Sequence, residues 1–183
     1  MSCEALFDHS LLDHLDWSKH RAHYRDDISP SNLPPGYKMR PLQSDDFNRG
    51  YCDLLSHLTK VGDVTPELYL QQFNQMKESK LHYIVVIHDQ ESDKVVGSAT
   101  LVVEHKFIHT AANRGRIEDV IVHPDHQGRQ FGKVLLDLLI LLAESTNCYK
   151  LSLDCNEKAR PFYEKLNLEN VEDHRFMCIK FFD

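Results

Sequence analysis

From Phe131 to Glu144 the chain is almost pure aliphatic helix former, and a short Gly-rich, basic loop stands directly before it. The whole stretch, His123 to Ser145, reads HPDHQGRQFGKVLLDLLILLAES. A helix this apolar belongs in a core. Its longest apolar run, Val134–Ala143, is too short to span a bilayer and is interrupted by Asp137. The loop has two explanations. One is a tight turn; the other is an anion held on backbone N–H groups at the helix N-terminus.

Around that helix the hydrophobic period changes repeatedly. Tyr37–Leu42 reads as a first strand. Ser44 with Asp45 and Asp46 looks like a helix start, with acids where the macrodipole favours them. Phe47, Tyr51, Leu54, Leu55 and Leu58 then recur at helical spacing. Thr65-Pro66-Glu67 opens a second helix, with Thr at the N-cap and Pro at the first position; Leu68, Phe73 and Met76 are its expected buried side. Tyr83–His88 and Val95–Glu104 form a hairpin across the polar turn Gln90–Lys94. Ile117–Val122 is a further strand, followed by the loop and the long helix. A strand at Tyr149–Cys155, a short helix at Ala159–Lys165 and a last strand at Phe176–Phe182 complete the order. The expected class is α/β, a mixed, mostly antiparallel sheet with helices on both faces.

At 183 residues the chain suits one domain, and 42% hydrophobic content supplies a core. A net charge of −7 argues against a broad nucleic-acid surface. The five cysteines include no CxxC pair, which fits a reducing compartment better than a disulfide framework. The N-terminus, MSCEALFDHSLLDHLDW, is acidic and lacks a long apolar run, so it does not read as a secretory signal. A cytoplasmic protein is expected, with peripheral endomembrane association left open. Residues 1–35 read as an arm, partly ordered or docked as a short helix, before a domain at 36–183; Pro30, Pro34 and Pro35 mark the junction.

RGRIEDVIVHPDHQGRQFGKVLL carries the most information. Gln127, Gly128, Arg129, Gln130, Phe131 and Gly132 resemble the acetyl-CoA pyrophosphate loop of GNAT acetyltransferases, Q/R-x-x-G-x-G/A. Gln127 and Gly132 match its ends, and Gln130 stands at the middle Gly, where it is expected to keep an ordinary backbone conformation. The segments LTKVG, EHKFIH, RGRIEDVIV, NCYKLSLDC, FYEKL and MCIKFF resemble one GNAT family, the glucosamine-6-phosphate N-acetyltransferases. They occur in that family's order from about Tyr37 onward. The resemblance implies a homodimer, acetyl-CoA as donor and D-glucosamine 6-phosphate as acceptor, with a product that feeds UDP-N-acetylglucosamine synthesis.

It also implies roles. Backbone groups of Asp119, Val120 and Ile121 would pair with the pantetheine as an added strand. Gln127–Gly132 would hold the pyrophosphate, with Arg129 and Lys133 adding charge. Thr59, Lys106, Phe107, Ile108, His109 and Lys180 would lie near the sugar phosphate, some of them reaching from a second subunit. Glu118 and Asp119 would position the amine and remove its proton, Asp154 would bind sugar or amine, and Tyr163 would stand beside the departing sulfur and the cofactor. Adjacent strand residues point to opposite faces unless a bulge re-aims them.

Blander readings compete. Acids often face solvent, Tyr163 could be a half-buried aromatic, and HKFIHTAANRGR could be a solvated loop. Cys155 as an acyl carrier is disfavoured, because a thioester needs no enzyme nucleophile when both substrates are bound together. His123 and His126 hint at a metal without an evident third ligand, so none is expected. Another small amine as acceptor, or a non-catalytic acyl-CoA-binding module, are the rival functions.

Overall fold

The computed structural model describes residues 3–171 and 178–179. The expected last strand and Lys180 therefore lie outside the described residues, apart from two positions of that strand. Among the described residues five strands form one sheet in sequential order: β1 (Tyr37–Pro41), β2 (His82–Asp89), β3 (Lys94–Glu104), β4 (Asn113–Val122) and β5 (Cys148–Ser152). All neighbours are antiparallel except β4 and β5, which run parallel. That parallel pair needs a crossover, and the apolar helix α5 (Phe131–Ser145, numbered in chain order with the helices below) supplies it.

Alternation along the strands divides the core. Val85 and Ile87 face α5, with Ala99 and Leu101 beside them. Ile84 and Val86 face the other side, where α2 (Tyr51–Ser56) and α3 (Pro66–Ser79) pack through Tyr51, Leu54, Tyr69 and Phe73. Helices thus cover both faces, as the patterning predicts. Thr65 Oγ1 accepts from Leu68 N–H at 3.2 Å, and Pro66 is the first residue of α3. Leu68 is exposed, however, and the buried pair is Tyr69 and Phe73 one turn apart.

The acids at 45 and 46 do not start a helix. Asp46 is fully buried and accepts from both terminal guanidinium nitrogens of Arg40 at 2.7 Å. A cation buried in a strand needs a geometrically matched carboxylate, and that demand outranks the macrodipole. Residues 44–49 are turns, and α2 begins only at Tyr51, after Gly50 in a left-handed conformation.

The N-terminal arm is docked. It contains the single turn α1 (Ser10–Asp13) and a 3-10 turn at Trp17–Lys19, and it buries Leu6, Leu12, Ala22 and Ile28. The Asp137 that interrupts the apolar helix explains the docking. It is 1% exposed and accepts from Arg21 N–H at 2.8 Å, Ala22 N–H at 3.0 Å and the Tyr24 hydroxyl at 2.7 Å. Burial, and then the bond to Asp137, keeps the Tyr24 hydroxyl protonated far above its ordinary range. Asp137→Asn leaves one donor facing an NH2 group and removes the charge; it is expected to lower stability by about 2 kcal/mol in chemical denaturation. Unchanged stability would mean that the arm is held elsewhere.

The remaining short elements are α4 (Ile108–Ala111), a distorted turn between β3 and β4, and α6 (Arg160–Glu164) after β5. Among the described residues no helix is long and apolar enough to cross a membrane.

Candidate active site

The site starts from two irregularities of β4. The first is its partial pairing. β5 bonds to it only from Asn113 to Arg116, whereas β4 continues to Val122. Among the described residues, the stretch Ile117–Val122 therefore keeps a free backbone edge on the β5 side. The second is a bulge. Ser98 of β3 pairs with Ile121 and Thr100 with Glu118, so Asp119 and Val120 together oppose the one residue Ala99. Asp119 absorbs the extra residue in a left-handed conformation, φ 51°. The strict alternation that would send Glu118 and Asp119 to opposite faces is broken there.

A cavity of about 210 Å³ lies against this bulge. Glu118, Asp119, Asp154 and Tyr163 all line it, with Leu58, Ile117, Val120 and Leu153 as its apolar wall. The structure thus brings together four groups, from β4, the segment just after β5 and α6. Arg116, which sequence reasoning overlooks, ties them together: its guanidinium pairs with Glu118 and with Asp154. The spacing offered a signal, since Arg116 and Glu118 are two apart on one strand and share a face. Among the described residues Asp119 makes no such pair. Its carboxyl is pushed above the ordinary aspartate value by loss of solvation first and by the Glu118 charge second. Tyr163 is pushed up too, by burial and then by Cys155, so its hydroxyl stays protonated and remains a donor. The Cys155 thiol is also raised, by lost solvation and then Glu157, which disfavours the thiolate that an acyl carrier would need.

Thr59 follows the cavity residue Leu58, just beyond α2. The segment Lys106–His109 is elsewhere. It precedes β4, while the cavity forms midway along that strand, and none of its residues lines the cavity within one chain. Lys106 pairs with Glu104, His109 packs on Tyr149 with ring centroids 4.1 Å apart, Phe107 is fully exposed and Ile108 is 58% exposed. His109, Thr110 and Ala111 all have positive φ, a strained turn without a glycine.

The loop before α5 has the features of an anion cradle. Among the described residues, the N–H groups of Gly128, Arg129, Gln130, Phe131 and Gly132 make no hydrogen bond. Phe131 and Gly132 are orphan donors of a 15-residue helix, at the positive end of its dipole, and Gly128, Arg129 and the N-cap Gln130 lead into it. Gly128 sits at φ 80° with open space where a Cβ would be. A Cβ on Gly132 would come within 3.1 Å of the Phe162 ring, so that glycine admits α6. Gln130 departs from expectation: it takes the left-handed conformation itself, φ 65°, as the motif's glycine would. That costs a non-Gly residue of order 1 kcal/mol. Phe131 is core, so only its N–H is on offer. The Gln127 side chain reaches Val122 O, and Arg129 lies over the Tyr37 ring at 5.5 Å. Binding capacity here rests chiefly on backbone donors.

His123 and His126 line a different cavity, about 270 Å³, at the far end of β4 with His57, Arg49 and Lys94. It holds none of the carboxylates or the tyrosine of the first cavity. Among the described residues no three His, Cys, Asp or Glu side chains converge as a metal site.

The sequence profile of the acetyltransferase (GNAT) family matches residues 39–168, from β1 through α6. The chain is a GNAT acetyltransferase. It is 44% identical over 162 residues to the probable glucosamine 6-phosphate N-acetyltransferase of Drosophila melanogaster, covering 88% of this chain and 74% of that one. The crystal structure of glucosamine-6-phosphate N-acetyltransferase from Arabidopsis thaliana superposes with a TM-score of 0.74 at 33% identity, over 80% of this chain and 99% of that one. A Trypanosoma brucei acetyltransferase superposes at 0.71 and 32% identity, over 78% and 99%. GNAT acetyltransferases take their acetyl group from acetyl-CoA. Two independent features of this GNAT chain fit that donor: a free strand edge for an amide-bearing arm, and unpaired N–H groups for a pyrophosphate.

Proposed function

We propose that this enzyme transfers the acetyl group of acetyl-CoA to the amine of D-glucosamine 6-phosphate by direct attack in a ternary complex. The product, N-acetylglucosamine 6-phosphate, would serve UDP-N-acetylglucosamine synthesis. One observation carries the reading: Asp119, a carboxylate with no cationic partner among the described residues, shares a small cavity with a protonated tyrosine beside the stretch of β4 that β5 leaves unpaired. The likeness to relatives bearing that name supports the choice of acceptor.

The donor brings an activated thioester; the chain supplies everything else. Backbone groups of Asp119, Val120 and Ile121 orient the pantetheine, and the N–H groups of the Gln127–Gly132 loop hold the pyrophosphate. Arg116 fixes Glu118 and Asp154 so that they grip the sugar and its amine. Asp119 accepts the amine proton, directly or through water. The Tyr163 hydroxyl donates to the leaving sulfur.

The acceptor phosphate needs cations, and among the described residues of one chain none lines the cavity. A homodimer supplies them in this reading, through the exposed Lys106–His109 segment of the second copy and through Lys180. A cytoplasmic location suits five free cysteines.

Two measurements test the acceptor side. Glucosamine 6-phosphate should exceed glucosamine in kcat/KM by about 10- to 100-fold, the worth of one charge-assisted bond. Equal use of both sugars, followed by thiol release, sinks the acceptor. Lys180→Ala should raise the KM for the sugar phosphate by about tenfold with kcat nearly unchanged. A strictly monomeric and fully active enzyme in sedimentation would refute the shared site.

A further inference from the structure

We propose that the N-terminal strap is a working part of the donor site: residues 21–28 hold the phosphate loop in its anion-binding shape, with Arg25 as the positioning residue. This rests on the reading of Gln127–Gly132 as the pyrophosphate loop.

Contacts between strap and loop concentrate on the loop's unusual residues. Arg25 N–H donates to Gln130 Oε1 at 3.0 Å, and Arg25 Nη2 donates to Gly128 O at 3.0 Å. Gln130 and Gly128 are the two left-handed residues of the loop. Lys133 Nζ donates to His23 O at 2.7 Å and lies over the Tyr24 ring at 6.0 Å. The strap is anchored separately, by Asp137 on Arg21, Ala22 and Tyr24. It is therefore a fixed frame from which the loop is held, rather than a tail that the loop carries.

This arrangement accounts for Gln at the middle position of the motif. A glycine there would reach the left-handed region freely, but it would also leave it freely. A glutamine is costlier to place, yet its amide oxygen can be tied to the strap backbone. The cost is offset by the Arg25 N–H bond, and the N–H groups of Gln130, Phe131 and Gly132 are left without a partner among the described residues. Arg25 is exposed, and its guanidinium donates to Gly128 O, so its charge stands at the loop. Arg129 and Lys133 add cations; Asp26, Asp27 and Asp125 are the nearby acids in sequence.

If the strap orders the loop, then a ligand that needs the ordered loop must in turn hold the strap. CoA itself is the probe. Calorimetric titration of the full-length protein with CoA gives the affinity, and tryptic cleavage after Arg21 and Arg25 reports strap docking. Arg25→Ala removes only an exposed side chain. It should weaken CoA binding about fivefold, the net worth of one hydrogen bond at a solvent-exposed position, and leave kcat, the acceptor KM and the Tm unchanged. Arg25→Lys should recover part of the affinity. Bound CoA should slow cleavage after Arg21 and Arg25 in the wild type, and slow cleavage after Arg21 less in Arg25→Ala at equal CoA concentration. Full CoA affinity in Arg25→Ala, or cleavage indifferent to CoA, overturns the proposal while leaving the donor site intact. A fall in kcat and Tm alongside affinity overturns it too, in favour of general unfolding. A wild type that does not bind CoA removes the donor-site reading, and this proposal with it.

Discussion

Tyr163→Phe is expected to lower kcat about 100-fold with both KM values little changed, as for loss of a donor that acts mainly in the transition state. The ring stays, so the packing of α6 against the core stays. Only the hydroxyl leaves the cavity that Glu118, Asp119 and Asp154 share. Burial holds that hydroxyl protonated, which makes it a dependable donor and a reluctant acid. The reference pKa of a tyrosine is about 10 and that of a thiol about 8.5, so complete transfer to the departing thiolate is uphill. A hydrogen bond that strengthens as charge develops on sulfur meets the need without it. Steady-state kinetics on a variant of unchanged Tm is the measurement. Near-normal kcat returns Tyr163 to a packing role, with single-turnover rates separating chemistry from product release.

Composition and period locate most of the elements because they report burial directly. The aliphatic run ends up inside as α5, and the alternation at Tyr83–His88 and Val95–Glu104 gives two of the interior strands. What stays hidden depends on partners distant in sequence. Asp46 looks like a helix-starting acid because nothing near it reveals that Arg40 is buried and needs it. Gln130 looks like an imperfect match to a glycine until Arg25, 105 residues earlier, appears at its side chain. Arg116 reads as one more cation in a basic loop, and becomes a clamp only when the end of β5 brings Asp154 to it. The bulge lies between these cases. The adjacent acids made it a geometric necessity if both were to serve one site, but only the register between Ser98 and Thr100 places it.

Asp119→Asn should cost more than the tyrosine change, about 1,000-fold in kcat, within the range for loss of a positioned general base. The substitution is clean for a specific reason. Asp119 sits at φ 51°, and asparagine is among the few residues that enter that region readily, so the bulge survives. The pH dependence gives an independent check. Lost solvation, and then the charge of Glu118, raise the Asp119 carboxyl above the reference aspartate value of about 3.9. A protonated carboxyl cannot accept the amine proton, so activity falls as pH drops through that raised value. The limb therefore lies on the acid side and above the ordinary carboxylate position. Glu118→Gln removes one of the two causes and should move the limb to lower pH. The amine of the free sugar titrates identically with every variant, so the difference between wild type and Glu118→Gln in the kcat/KM profile isolates the enzyme group. A limb that does not move on Glu118→Gln, together with substantial activity in a folded Asp119→Asn, assigns the proton to another acceptor.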